Sequence, residues 1–150
     1  MRVVLDTNVV LDLLHFEDPR VLPLGEALER GALVACADAR TLAELERVLA
    51  YPSFRLDAPR QQALLARYRA QVCLVPGDPA QPVTGLPRCA DREDQKFLEL
   101  AARAGARWLV SKDKQLLQLR GGSGLPFLIL PLREAVALLV RGAETPAPGH

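Results

Sequence analysis

The chain has 150 residues, 49% of them apolar and 25% charged, enough for a single domain with its own hydrophobic core. Its formal net charge is +1, so the chain lacks the global basic excess of a protein that holds nucleic acid by bulk phosphate neutralisation, and any such contact must come from a local site. Three cysteines (Cys36, Cys73, Cys89) without a Cys-x-x-Cys pair, and only two histidines, argue against a zinc site and for free thiols in a reducing compartment. No apolar run approaches the roughly 20 residues of a membrane span, and the apolar run after Arg2 is too short for a signal peptide, so a cytoplasmic protein is expected.

The elements follow in chain order. Val3–Leu5 reads as a buried strand and Asn8–His15 as the first helix. Pro19–Arg30 reads as a second helix, with proline near its start and Gly31 at its stop. Leu33–Cys36 is the second strand. Thr41–Ala50 is helical, with Leu42, Leu45, Val48 and Leu49 on one stripe and Pro52 soon after its end. Pro59–Val72 is a further helix. The stretch PGDPAQPVTGLP, residues 76–87, holds four of the twelve prolines and reads as a loop. Asp91–Ala104 is a strong helix stopped by Gly105, and Trp108–Val110 a strand. Lys114–Leu119 is a short helix, Arg120–Gly124 a turn, Phe127–Leu130 a strand and Leu132–Arg141 the last helix. The expected division is a domain over 1–141 and a frayed tail over 142–150.

Alternation of helices with short, uniformly apolar strands predicts a three-layer α/β/α sandwich around a central parallel sheet. In such a sheet the ligand site lies outside the C-terminal edge of the strands. Asp6 directly follows strand VVL, and Asp113 follows WLV after two residues; both reach that edge if the two strands are neighbours. On a helical wheel Asp94 is in line with Phe97, Leu98 and Ala101, with Asp91 on the same side. Glu44 and Glu46 flank the apolar stripe of their helix, and the wheel does not choose between them. Each acid also has a plain role: Asp6 or Asn8, Asp91 and Asp113 can cap helices, and Asp94 can favour a helix dipole. One metal site explains the acids together. Clustered carboxylates repel unless a cation neutralises them, and an all-oxygen set selects a hard ion such as Mg²⁺ or Mn²⁺.

Four stretches, VVLDTNVV, TLAELERVL, DREDQKFLELA and WLVSKDKQLL, occur in this order over most of the chain and resemble the PIN-domain family, most closely its bacterial branch of toxin components of toxin–antitoxin systems. The resemblance implies an α/β/α nuclease that binds Mg²⁺ or Mn²⁺ in an acidic pocket and cuts RNA with metal-activated water. By motif position it implies Asp6, Glu44, Asp94 and Asp113 as the acids, Asn8 and Ser111 as supporting polar groups, and Asp91 as an auxiliary ligand. One departure stands out: many relatives carry a further acid shortly after the position of Asp113, where this chain has Lys114, Gln115 and Leu116.

Arg40, Arg47, Lys96, Lys112 and Lys114 lie close in sequence to the acids and are candidates for contacting RNA phosphates. Arg60 and Arg67 share a helix face, and Tyr51, Phe54 and Tyr68 are the aromatic candidates for base stacking. The leading reading is thus a metal-dependent endoribonuclease acting as a toxin, with RNA as substrate, an antitoxin as partner and no membrane contact. Homodimerisation through Val9, Leu13 and Leu14 or the C-terminal helix is an option, although these residues can equally be core. The competing classes are a non-catalytic PIN-like module that binds RNA or protein through a weakened metal site, and a haloacid-dehalogenase-type phosphatase. The latter wants Asp-x-Asp after the first strand, where this chain has Asp-Thr-Asn.

Overall fold

A computed structural model of the chain describes residues 1–16, 18–77, 83–122 and 124–144. Five parallel strands form one sheet: β1 (Arg2–Leu5), β2 (Val34–Ala37), β3 (Cys73–Leu74), β4 (Trp108–Ser111) and β5 (Leu128–Pro131), in the order β3-β2-β1-β4-β5. The chain builds outward from β1 to β3 and then returns to the other side of β1 for β4 and β5, so the order reverses between β1 and β4. The register Leu5↔Val110 brings the ends of these two strands level, which meets the neighbour condition for Asp6 and Asp113.

The strands are apolar without alternation because both faces are covered. Val3 and Leu5 of β1 point into a core shared with α1 (Thr7–Leu11), α2 (Leu22–Glu29), α3 (Ala39–Leu49), α4 (Ala58–Gln71) and α7 (Leu132–Glu144). Val4 points the other way, onto Phe97, Leu98 and Leu100 of α5 (Gln95–Ala104) and Leu116 of α6 (Lys114–Leu117). The expected sandwich is therefore present.

Several elements differ in detail from the sequence reading. The first helix is α-helical only to Leu11 and continues as a π-helical turn over Asp12–Phe16. The second opens with a 3-10 turn, Pro19–Val21. α3 starts two residues early because Asp38 and Thr41 close a reciprocal capping box. Val72 is already extended and leads into β3, too short to stand out in sequence. Asp91–Ala104 is not one helix: Asp91 accepts the Glu93 N–H and caps a 3-10 turn, Arg92–Asp94, and α5 begins only at Gln95. α7 continues to Glu144, past Arg141, while the rest of the expected tail, 145–150, lies outside the described residues, as do 78–82 of the proline-rich loop. Among the described residues no helix is long and apolar enough to cross a membrane.

Candidate metal and nuclease site

β1 ends by turning straight into α1, and the turning residue is Asp6. Its backbone is extended, and its Oδ1 accepts the Val9 N–H at 3.0 Å, so it caps α1. Its Oδ2 accepts from the Ser111 hydroxyl and from the Lys112 N–H at 3.2 Å. Capping and site-building are thus the same act. Asp6 is 4% exposed, and burial pushes its carboxyl up from the ordinary aspartate range against the pull of the bonds from Ser111, Val9 and Lys112; the Asp113 charge raises it further.

Ser111, fully buried at the end of β4, joins two of the acids. It donates to Asp6, and its Oγ accepts the Asp113 N–H at 2.9 Å. Asp113 in turn caps α6 through the Gln115 N–H at 2.8 Å. From the other side, the tight turn before α5 delivers Asp91 and Asp94. Asp91, Asp94 and Asp113 each present an oxygen, and these oxygens lie within 4.8 Å of one another. The Oδ2 of Asp94 is buried with no hydrogen-bond partner among the described residues. Burial first, then the adjoining Asp113 carboxyl and the charges of Asp113, Asp91 and Asp6, push Asp94 up to about 8. A carboxyl with an orphaned oxygen, grouped with two further carboxyls, fits a hard divalent cation, which would relieve the repulsion that raises Asp94.

Glu44 stands apart from that trio. The Thr7 hydroxyl donates to its Oε2, and the Lys96 ammonium lies 2.7 Å from its Oε1. Lys96 is only 11% exposed, and its Nζ also donates to the Glu93 carbonyl. The structure separates the two glutamates left open by the helical wheel: Glu44 faces inward, whereas Glu46 is exposed. Lys96 is therefore an internal partner of an acid rather than a side chain reaching outward for phosphate.

The other proposed contacts divide similarly. Asn8 is exposed and makes no side-chain hydrogen bond among the described residues, while its neighbour Thr7 donates to Glu44. Arg40 is tied to Glu99 at 2.7 Å, and Lys112 to the buried Asp12 at 2.8 Å. Arg47 is exposed, 3.9 Å from Glu44, and Lys114 is exposed with no ion pair among the described residues. Tyr68 lies in the core and cannot stack a base, whereas Tyr51 is exposed beside Phe54, ring to ring at 6.4 Å. Val9 and Leu14 are also core, which removes them from any dimer surface; Leu138 and Val140 of α7 are exposed. Sequence reasoning missed Thr7 and Asp12 as working groups. Thr7 sits inside the motif between two more conspicuous residues, and Asp12 acquires its role only when β4 brings Lys112 to it.

Comparisons with known proteins give the family and the fold. The PIN-domain family model matches residues 2–115. Among solved structures the chain is similar to that of VapBC2 from Rickettsia felis bound to a DNA fragment from their promoter, with a TM-score of 0.62 and 14% identity, covering 87% of this chain and 98% of that one. Identity at that level speaks to the fold. No curated protein matches the chain.

Proposed function

The chain belongs to the PIN-domain family, and on that premise we propose that it is a Mg²⁺- or Mn²⁺-dependent endoribonuclease, the cytoplasmic toxin of a toxin–antitoxin pair. The observation that carries the metal-dependent part is the buried, unpartnered Oδ2 of Asp94 beside Asp91 and Asp113. The toxin role, and with it an antitoxin partner, rests on the four motifs and their order.

Asp91, Asp94 and Asp113 would hold the ion, with Asp6 behind them. When bound, the ion supplies charge neutralisation and an activated water for attack on phosphorus, leaving a 5′-phosphate and a 3′-hydroxyl. The chain's own residues do the positioning. Three donors fix Asp6, so its charge does not move as RNA enters. Ser111 locks Asp6 and Asp113 to one strand end. Lys96 neutralises Glu44 internally and keeps that corner of the pocket from repelling a phosphate. A second reading, a PIN-like module that binds RNA or protein without cutting, is favoured by one observation: both oxygens of Glu44 are already engaged, by Thr7 and Lys96.

Cleavage of a labelled single-stranded RNA with Mn²⁺, with Mg²⁺ and with chelator decides between them, with Asp6→Asn and Asp94→Asn proteins alongside. Metal-dependent cleavage lost in both variants is expected. No cleavage and no metal binding by the wild type would hand the chain to the second reading.

A further inference from the structure

A cleft of about 570 Å³ opens beside the acidic site, between the end of β4 with α6 and the start of α7. It adjoins the site through Ser111 and Lys112, both bonded to Asp6, which form part of its wall. The lining has two chemistries. Leu117, Pro131, Leu132 and Val136 give an apolar wall. Arg20, Lys112, Lys114 and Arg133 give four cations, and no carboxylate is among the described lining residues. Arg20 is held by Asp18 at 2.6 Å and Lys112 by Asp12 at 2.8 Å, but Lys114 and Arg133 are exposed and have no ion pair among the described residues.

The other polar cleft near the acids makes a useful contrast. It is larger, about 890 Å³, but Glu93 and Glu99 share its wall with the cations, Lys96 and Arg40 are already committed to Glu44 and Glu99, and Arg88 and Arg92 are left without an ion pair among the described residues. The first cleft differs in setting its unpaired cations against large aliphatic side chains, with no carboxylate among its described lining residues.

We propose that the cleft between α6 and α7 seats one nucleotide of single-stranded RNA adjoining the phosphate that is cut, its base against Leu117, Leu132 and Val136 and its phosphate between Lys114 and Arg133. The volume falls in the range of sites that enclose small organic groups. A base reaches an apolar wall only when it is unstacked and unpaired, so the cleft selects single strands over duplex. The wall is aliphatic and offers no hydrogen-bond code, so the cleft does not discriminate strongly among bases. Lys114 and Arg133 act through charge and make the binding salt-dependent. The inference rests on the nuclease reading and extends it to a strand path.

The test is binding of a labelled single-stranded oligoribonucleotide to the full chain carrying Asp94→Asn, in chelator, as a function of salt, with a blunt RNA duplex alongside. We expect single-strand affinity well above duplex affinity, and a loss of about tenfold or more in Arg133→Glu with Lys114→Gln. The slope of log affinity against log salt should fall by roughly 0.7 per contact removed. In the otherwise wild-type enzyme the same pair should raise KM for the RNA with little change in kcat, and Arg133→Lys should restore most of the binding. Unchanged affinity and KM in a pair variant that melts like the wild type would overturn the cleft while leaving a cleaving wild type, and hence the nuclease reading, intact. A wild type that neither cleaves nor binds metal would overturn the nuclease reading itself. Displacement of an acidic peptide by these substitutions, with RNA binding untouched, would assign the cleft to a protein partner and also overturn the proposal.

Discussion

Two corners of the pocket face the same difficulty, a carboxylate held out of bulk water, and meet it in opposite ways. At Glu44 the chain supplies the cation itself: Lys96 lies 2.7 Å from one oxygen, and the Thr7 hydroxyl bonds the other. At Asp94 the neighbours are Asp91 and Asp113, and the buried Oδ2 has no donor among the described residues. The first corner is complete as folded. The second is left electrostatically unfavourable, with Asp94 pushed up to about 8 by burial and by Asp113. Strain of this kind persists only where the rest of the fold over-determines it, and it marks the place where binding energy from outside can enter.

Breaking the second corner should have the largest effect on activity. Asp94→Asn keeps the shape and removes the charge. RNA cleavage should fall by more than about 100-fold, the upper end for loss of a mere outer-shell partner, in single-turnover assays. The same variant should be more stable than the wild type when metal is chelated. Asp94 binds its proton more tightly folded than unfolded, so its penalty is absent below the unfolded value near 3.8 and grows as pH rises, becoming complete above about 8. The Tm advantage of Asp94→Asn in chelator should therefore be nil in acid and widen up to about pH 8. Because the group is only partly buried, screening holds the gain to roughly 2–6 °C for a chain of this size. Adding Mn²⁺ should raise the wild-type Tm and leave the variant where it was. A wild type more stable than Asp94→Asn at pH 8 in chelator would contradict the charge-repulsion account.

The difference between the corners also explains what could be read in the sequence. Four of the five strands were legible as short apolar runs separated by helices with clear stripes, and the two-residue β3 was not. Asp6 and Asp113 were legible as candidates because one directly follows such a run and the other follows it after two residues, and the β1–β4 register brings those strand ends level. Asp91 and Asp94 were legible as candidates on one side of their helix, yet for an incomplete reason. The wheel treats 91–104 as one helix, whereas a 3-10 turn sets the angle at which Asp94 enters. What could not be read is pairing between elements. Lys96 looks like any cation on an amphipathic helix until α5 meets α3, and Asp12 looks like a solvated helix residue until Lys112 arrives from β4. A parallel sheet brings such partners together from distances in sequence that periodicity does not see.

The complete corner should respond in stability first. Lys96→Met keeps the stem and removes the ammonium, leaving Glu44 inward-facing with only Thr7 and a distant Arg47. We expect a loss of about 1–3 kcal/mol, the usual cost of leaving a polar group without its partner. Glu44→Gln on top of it should recover part of that loss, and a double-mutant cycle followed by denaturant unfolding measures the coupling. No coupling would mean that the pair is incidental.

The smallest effects sharpen the assignment within the opening motif. Thr7→Val removes one hydrogen bond to Glu44 and should cost about 1 kcal/mol. Asn8→Ala, at an exposed position with no side-chain bond among the described residues, should stay within about 0.5 kcal/mol. If Asn8→Ala leaves stability alone but weakens cleavage, its amide acts on bound RNA rather than on the fold. If Thr7→Val and Asn8→Ala both leave cleavage intact, the motif contributes only Asp6 to the chemistry. The apolar residues on either side of Asp6 then serve one end, to hold a single carboxylate at the mouth of the sheet.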